Sequence, residues 1–212
     1  MMLIKKLKVN KKDSKYFLYL LFWYLKEFMS KEIIRKEFKA IRNNIENKRA
    51  KSKLITETIL NLSEVKESNV IGIYMSFSSE VDTKDLIEQL LMLGKNIVIP
   101  RIYNNIEMEF YKVNSINDLK NKNILGILEP ENNKENKVSK DDIDLMIIPG
   151  ICFDLEKNRV GFGKGYYDRY LENTNIKKVA ICFEEQVLTG DTIAVNKYDI
   201  KMDKIVTNKR II

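Results

Sequence analysis

Four of the chain's eight glycines, Gly150, Gly161, Gly163 and Gly165, fall within sixteen residues. They lie in Pro149-Gly150-Ile151-Cys152-Phe153-Asp154 and in Arg159-Val160-Gly161-Phe162-Gly163-Lys164-Gly165-Tyr166-Tyr167-Asp168-Arg169-Tyr170-Leu171. Glycine costs backbone entropy, so a cluster of it marks a stretch of backbone with a task. Alternate glycines let a chain turn tightly, aim successive N–H groups inward and come close to a phosphate. Arg159 and Lys164 would add positive charge to such a cradle, and the helical spacing that resumes at Tyr166 sets a helix N-terminus beside the same anion. Asp168 is a hard oxygen ligand suited to Mg2+. The run is not a Walker A loop, because no Ser or Thr follows Lys164. It is not a dinucleotide fingerprint either, since Tyr166 stands in the third glycine's place. A hairpin or a plain turn is the competing reading of the glycines by themselves.

Absences narrow the chemistry further. The chain has no histidine, which excludes a Ser-His-Asp triad, a Cys-His pair and every histidine-ligated metal. Proton transfer is left to carboxylates, Lys or Tyr. The two cysteines, Cys152 and Cys182, are too few for a zinc ribbon or an iron–sulfur centre, and each sits in an apolar run that predicts a buried thiol in a reducing, cytoplasmic setting.

The elements that must position these residues follow from periodicity. From Lys31 to about Glu67 the pattern is helical, with Ile34, Phe38, Ile41 and Ile45 on one face, a basic stripe of Lys31, Arg35, Lys39 and Arg42 beside it, and Ser30 as the expected cap. Beyond it, β-branched runs alternate with helical segments. Val70–Met75, Asn96–Pro100, Ile143–Pro149, Lys178–Phe183 and Lys204–Thr207 read as strands, Met108–Val113 as an exposed strand, and Thr83–Leu93 as a helix capped by Thr83. Strands alternating with helices predict an α/β fold, a three-layer α/β/α sandwich with a largely parallel sheet. In such sheets ligands sit beyond the carboxyl ends of the strands, which directs attention to 76–83, 150–168 and 183–203. The polar segment 114–142 reads as a long surface connection.

The net charge of +7 is uneven, for residues 1–28 hold seven lysines against Asp13 and Glu27, a surplus of +5 that leaves +2 for the remainder. A nearly neutral body argues against nucleic acid as a partner. The uncharged run Tyr16–Leu25 is too short for a membrane span of about 17–25 residues, and no small-residue cleavage pattern follows it. Residues 1–28 therefore read as a basic and aromatic N-terminal extension, either upstream translation or a poorly ordered leader, with Met29-Ser30 expected as the true start of the chain and of the domain at 29–212. A membrane-surface anchor is the alternative for the extension, and no stable membrane insertion is expected.

Taken together, the run at 159–171 and Ile-Pro-Gly-Ile-Cys-Phe-Asp at 148–154 resemble the signature of the 5-formyltetrahydrofolate cyclo-ligases, also called 5,10-methenyltetrahydrofolate synthetases. The resemblance extends over 29–207 through Lys-Glu-Ile-Ile-Arg at 31–35, Tyr-Met-Ser-Phe-Ser-Ser-Glu-Val-Asp-Thr at 74–83, Ile-Pro-Arg at 99–101, Glu-Pro at 129–130, Phe-Glu-Glu-Gln at 183–186 and Asp-Ile-Lys-Met-Asp at 199–203. It implies a monomeric enzyme that uses ATP and Mg2+ to cyclise 5-formyltetrahydrofolate to 5,10-methenyltetrahydrofolate, ADP and phosphate. It also implies roles for particular residues. Lys31 and Arg35 would contact the nucleotide phosphates. Arg159, Gly161, Gly163, Lys164 and Gly165 would form their cradle, with Lys164, Arg159 and Tyr167 at the reacting phosphoryl group. Met75 and Glu80 would bind the folate, Tyr166 and Tyr167 would stack on or hydrogen-bond the substrates, and Asp168 with Asp199 would hold Mg2+. Lys39 and Arg42 inherit no role. Phe162 stands where many relatives carry a basic residue, Tyr198 replaces a frequent histidine and Ala194 a frequent proline, so Asp203 stays open as an alternative to Asp199. A phosphosugar isomerase would share the fold without needing Glu80 and the glycine-rich run together.

Overall fold

A computed structural model of the chain describes residues 31–104, 106–123 and 126–212, so Ser30, Met29 and the extension at 1–28 lie outside the described residues. The stretch expected to be helical is three helices, α1 (Lys31–Asn44), α2 (Lys48–Asn61) and α3 (Ser63–Glu67). Asn47 breaks the first from the second by taking a left-handed backbone, φ 55°, a conformation that asparagine tolerates better than most residues. The break turns the basic, amphipathic α1 away from α2, whose Ile55 and Ile59 enter the main core.

The remaining elements are β1 (Val70–Ile73), α4 (Lys84–Met92), β2 (Asn96–Ile102), β3 (Met108–Val113), β4 (Asn121–Lys122), β5 (Leu128–Glu129), β6 (Lys137–Val138), β7 (Leu145–Ile148), β8 (Cys152–Asp154), β9 (Arg159–Val160), α5 (Tyr166–Leu171), β10 (Lys177–Ile181), β11 (Val187–Leu188) and β12 (Lys204–Val206). The main sheet runs β12-β10-β7-β1-β2-β3-β6. Its first five strands are mutually parallel, and β3 and β6 are antiparallel additions. Smaller sheets join β11-β8-β9 and β4-β5.

Alternation along β7 builds two layers from one strand. Leu145 and Ile147 face a core shared with α2 and α4, whereas Met146 and Ile148 face a second core with Phe153 of β8 and Leu171 of α5. The expected α/β sandwich with its largely parallel sheet is the observed fold. A third cluster packs Ile34 and Phe38 of α1 onto Ile151, Cys152 and Val160. That packing delivers the basic face of α1 to the glycine-rich loop.

Two expectations are corrected. The strand at 108–113 is not exposed: Phe110 and Tyr111 are 0% and 1% accessible, because β6 covers the strand's outer edge and Tyr170 packs on Phe110 with ring centroids 4.8 Å apart. Thr83 precedes α4 but makes no side-chain cap. Its buried hydroxyl donates to the Tyr74 carbonyl at 2.9 Å and accepts from the Ser76 amide at 3.0 Å, closing the loop that follows β1. Both cysteines are free and buried, as expected. No described helix is long and apolar enough to cross a membrane.

Candidate active site

β1 sits at the point where the strand order reverses, with β2 on one side and β7 on the other. Loops leaving adjacent strands in opposite directions open a crevice at their carboxyl ends. A cavity of about 840 Å³ occupies it, lined by the residues after β1, at the end of β2 and after β7, by α1 and by the glycine-rich loop. That volume suits one large ligand or two in contact.

One half of the cavity is basic. Arg35 on α1 donates from Nε to the Gly161 carbonyl at 2.8 Å, which ties the helix to the glycine loop. Gly163 has φ 97°, and a Cβ there would lie 3.3 Å from the Arg35 guanidinium carbon. Glycine is thus required twice, for the left-handed backbone and for the close approach of Arg35. Arg159 is 9% accessible. It reaches the Pro149 carbonyl at 3.3 Å and Asp168 Oδ1 at 2.9 Å, and its guanidinium lies 5.6 Å from the centre of the Tyr167 ring. Its Nε is buried with no hydrogen-bond partner among the described residues. Lys164 is exposed at the rim, with no hydrogen bond or ion pair among the described residues. Lys31 pairs with Asp199, whose Oδ2 also accepts from the Asn196 amide at 2.6 Å.

The other half is apolar and ends on a buried acid. Met75, Pro100, Ile102, Met108 and Ile127 line it. The Glu80 side chain is 8% accessible, 3.6 Å from Arg42, and accepts from the Phe77 amide at 3.0 Å. Burial raises its pKa to about 7, and Arg42 and the Phe77 amide offset only part of that rise. Tyr166 and Tyr167 both line the cavity and both abut the second core. The Tyr166 hydroxyl donates to the Asn104 carbonyl at 2.8 Å, whereas burial holds the Tyr167 phenol protonated by raising its pKa well above the usual value.

All the residues expected at the site, Lys31, Arg35, Met75, Glu80, Arg159, Gly161, Gly163, Lys164, Gly165, Tyr166, Tyr167, Asp168 and Asp199, line this cavity. Asp203 does not. Its carboxylate accepts from the Lys178 amide at 2.7 Å near the start of β10, at the far end of the sheet from the cavity. The helix expected at Tyr166 has only six residues, so the glycine backbone and the side chains dominate the electrostatics of the loop.

The profile of the 5-formyltetrahydrofolate cyclo-ligase family matches residues 27–208. This chain belongs to that family. It is therefore an enzyme of the ligase class. Among its relatives is a Schizosaccharomyces pombe protein 34% identical over 74% of this chain and 84% of its own length. The 5-formyltetrahydrofolate cyclo-ligase of Haemophilus influenzae is 33% identical over 82% of this chain and 95% of its own. Among solved structures, the 5,10-methenyltetrahydrofolate synthetase of Aquifex aeolicus superposes with a TM-score of 0.75 at 33% identity, covering 86% of this chain and 92% of that one.

Within this cyclo-ligase, three residues whose part in the site sequence reasoning did not see shape it from behind. Asp154 is fully buried and accepts from the amides of Asn158 and Ile193, both at 2.8 Å, and from the Asn158 side chain at 2.9 Å. It fixes the turn that delivers Arg159. Gln186 donates to the carbonyls of Gly150 and Ile151 at 3.0 and 2.9 Å, holding the loop after β7. Arg42, the last residue of the basic stripe and one to which the resemblance gives no role, is 4% accessible. Asp154 and Gln186 end the runs at 148–154 and 183–186, but the Ile193 amide that Asp154 holds and the Gly150 and Ile151 carbonyls that Gln186 holds lie 35 to 39 residues away in sequence.

Proposed function

We propose that the cavity binds ATP and 5-formyltetrahydrofolate side by side and converts the latter to 5,10-methenyltetrahydrofolate, with release of ADP and phosphate. The observation that carries this reading is the division of one cavity into a basic, glycine-lined half and an apolar half closed by Glu80. An apolar wall bordered by the buried acids Glu80 and Glu129 suits a flat heteroaromatic ring whose N–H groups need an acceptor. A formamide is a poor electrophile and its oxygen a poor leaving group. Transfer of the γ-phosphoryl group to the formyl oxygen makes that oxygen leave as phosphate when the position-10 nitrogen attacks the formyl carbon and gives up its proton. Such a transfer needs alignment and charge neutralisation more than a side-chain nucleophile, which suits a chain without histidine.

In this reading Lys31, Arg35 and the backbone of Gly161, Gly163 and Gly165 hold the nucleotide phosphates. Lys164 and Arg159 neutralise charge on the transferred group, and Tyr167 supplies a hydroxyl kept protonated by burial. Tyr166 and Met75 pack against the substrates. Glu80 accepts the hydrogen bonds of the folate ring. Asp168 and Asp199 line one cavity and each is already balanced by a cation, Arg159 or Lys31. Among the described residues no group of three or more acidic or thiol ligands occurs. That donor set fits Mg2+, which commonly takes one or two carboxylates and completes its shell with phosphate oxygens and water. Bound there, Mg2+ would neutralise phosphate charge. We place the functional domain at 29–212 and the reaction in the cytoplasm, with the chain acting as a monomer.

The test is the near-ultraviolet absorbance of the methenyl product from 5-formyltetrahydrofolate, with ATP and Mg2+ supplied or withheld, for the whole chain and for a chain begun at Met29. Product is expected only with both, from both proteins, and Asp168→Asn should abolish it without unfolding the protein. Product formed without ATP, or none from folded protein, would overturn the reading.

A further inference from the structure

We propose that Arg42 is a positioning residue for the folate half of the site, holding the Glu80 carboxylate at the cavity wall and locking the loop after β1 to the helix that carries Lys31 and Arg35. The inference rests on the reading of Glu80 given above.

Arg42 follows Arg35 by two helical turns, so the two lie on one face of α1. They nevertheless do different things. Arg35 lines the cavity, whereas Arg42 lies behind its wall, with a side chain 5% accessible. Its guanidinium is shared among three loops. Nη1 is 3.6 Å from Glu80 Oε1 and donates to the Gly150 carbonyl at 3.4 Å. Nε donates to Ser79 Oγ at 3.2 Å, and that hydroxyl in turn donates to Asn43 Oδ1 at 2.6 Å. The guanidinium carbon lies 5.4 Å from the centre of the Phe162 ring, in the glycine-rich loop. One side chain thus touches the segments after β1 and β7 and the phosphate-side loop.

The held segment needs holding. Ser78 has φ 56°, a left-handed backbone that serine seldom adopts and that persists only where surrounding contacts impose it. The turn brings Glu80 back so that its carboxylate accepts from the Phe77 amide at 3.0 Å and its own amide donates to the Phe77 carbonyl at 3.3 Å. The groups that face this carboxylate are Arg42 from α1, the Phe77 amide from its own loop, Tyr74 at the end of β1 and Tyr167 of α5. Both phenols are kept neutral by burial, so Arg42 is the cation that favours the ionised acid. Lysine would supply the charge but not the fork: a single ammonium cannot reach the Gly150 carbonyl, the Ser79 hydroxyl and Glu80 in the same geometry.

Two variants test the proposal, Arg42→Met and Arg42→Lys, with thermal melts establishing that each is folded. The first readout is independent of turnover: the titration of the Glu80 side-chain carboxyl by 13C NMR, assigned by its absence in Glu80→Gln. The midpoint should move up by about one pH unit or more in Arg42→Met, because a nearby cation favours ionisation, and Arg42→Lys should restore most of that shift. The second is the division of kinetic effects. KM for 5-formyltetrahydrofolate should rise about tenfold or more in Arg42→Met, in keeping with loss of a charge-assisted contact, while KM for ATP stays near the parent value. Adding Arg42→Met to Glu80→Gln should cost no further folate affinity. An unmoved Glu80 midpoint in folded Arg42→Met would overturn the proposal, as would a rise in KM for ATP equal to that for folate. Should the parent protein form no methenyl product, the reading of the site fails, and the NMR midpoint still decides whether Arg42 governs Glu80.

Discussion

Glu80 gives the sharpest quantitative expectation. Its pKa of about 7 means that about one molecule in ten is ionised at pH 6 and about nine in ten at pH 8. If the ionised carboxylate accepts the hydrogen bonds of the folate ring, kcat/KM for 5-formyltetrahydrofolate should rise about tenfold between those pH values, since charge-assisted bonds are about twice as strong as neutral ones. The assay is the initial rate of methenyl absorbance at limiting folate and saturating ATP, on the parent and on Glu80→Gln. Glutamine keeps an oxygen toward Arg42 and removes the titration. Ionisation of the nucleotide and of folate itself is common to both proteins, so the ratio of their profiles isolates Glu80. Stability supplies an independent check. A carboxyl whose folded pKa lies above its unfolded value of 4.5 is fully stabilising only below that value, and stability is lost as pH rises from 4.5 to about 7. The loss is on the order of 3 kcal/mol at full ionisation. The melting temperature of the parent relative to Glu80→Gln should therefore fall across that window and level off above it. A flat kcat/KM ratio together with a flat difference in melting temperature would refute the reasoning.

Asp154→Ala strands three donors around a buried site and should cost about 3 kcal/mol or more, a fall in Tm of roughly 6–12 °C for a chain of this size, measured by calorimetry. An unchanged Tm would contradict the anchoring role. Gly163→Ala places a side chain at φ 97° and 3.3 Å from Arg35. It should raise KM for ATP by about tenfold, the equivalent of about 1.4 kcal/mol, with KM for folate little changed. Equal effects on both substrates would argue against a phosphate cradle. Burial pushes the Cys152 thiol up to about 12 and raises that of Cys182 well above its usual value. Both should resist a disulfide reagent at pH 8 in the native protein and react together in guanidinium. Rapid labelling of folded protein would mean that the core opens there.

Much was legible in the residues alone, because some demands are local. A continuous apolar run such as Leu145–Ile148 has few homes other than a buried parallel strand, and glycines at alternate positions announce an unusual backbone before any partner is known. Six of the seven strands of the main sheet, the segments that carry the cavity and the charged and glycine residues expected in it were readable on those grounds and on the family signature, whereas β6, inside the polar stretch read as a surface connection, and the short strands of the smaller sheets were not. Tertiary structure decided the rest, where a residue's environment is set by chain far away in sequence. Met108–Val113 alternates in polarity, yet Phe110 and Tyr111 are buried because β6 and Tyr170, from later in the chain, cover them. Thr83 has the residue type of a helix cap, but the end of β1 captures its hydroxyl first. Asp199 and Asp203 are equivalent in composition and spacing. The crossing of the chain sends one to the cavity and the other to the opposite end of β10. The same applies to the basic stripe of α1. Its sequence period assigns Arg35 and Arg42 to one face, and only the packing of α1 on β8 and β9 sets the first against the backbone of the glycine-rich loop and buries the second behind Glu80.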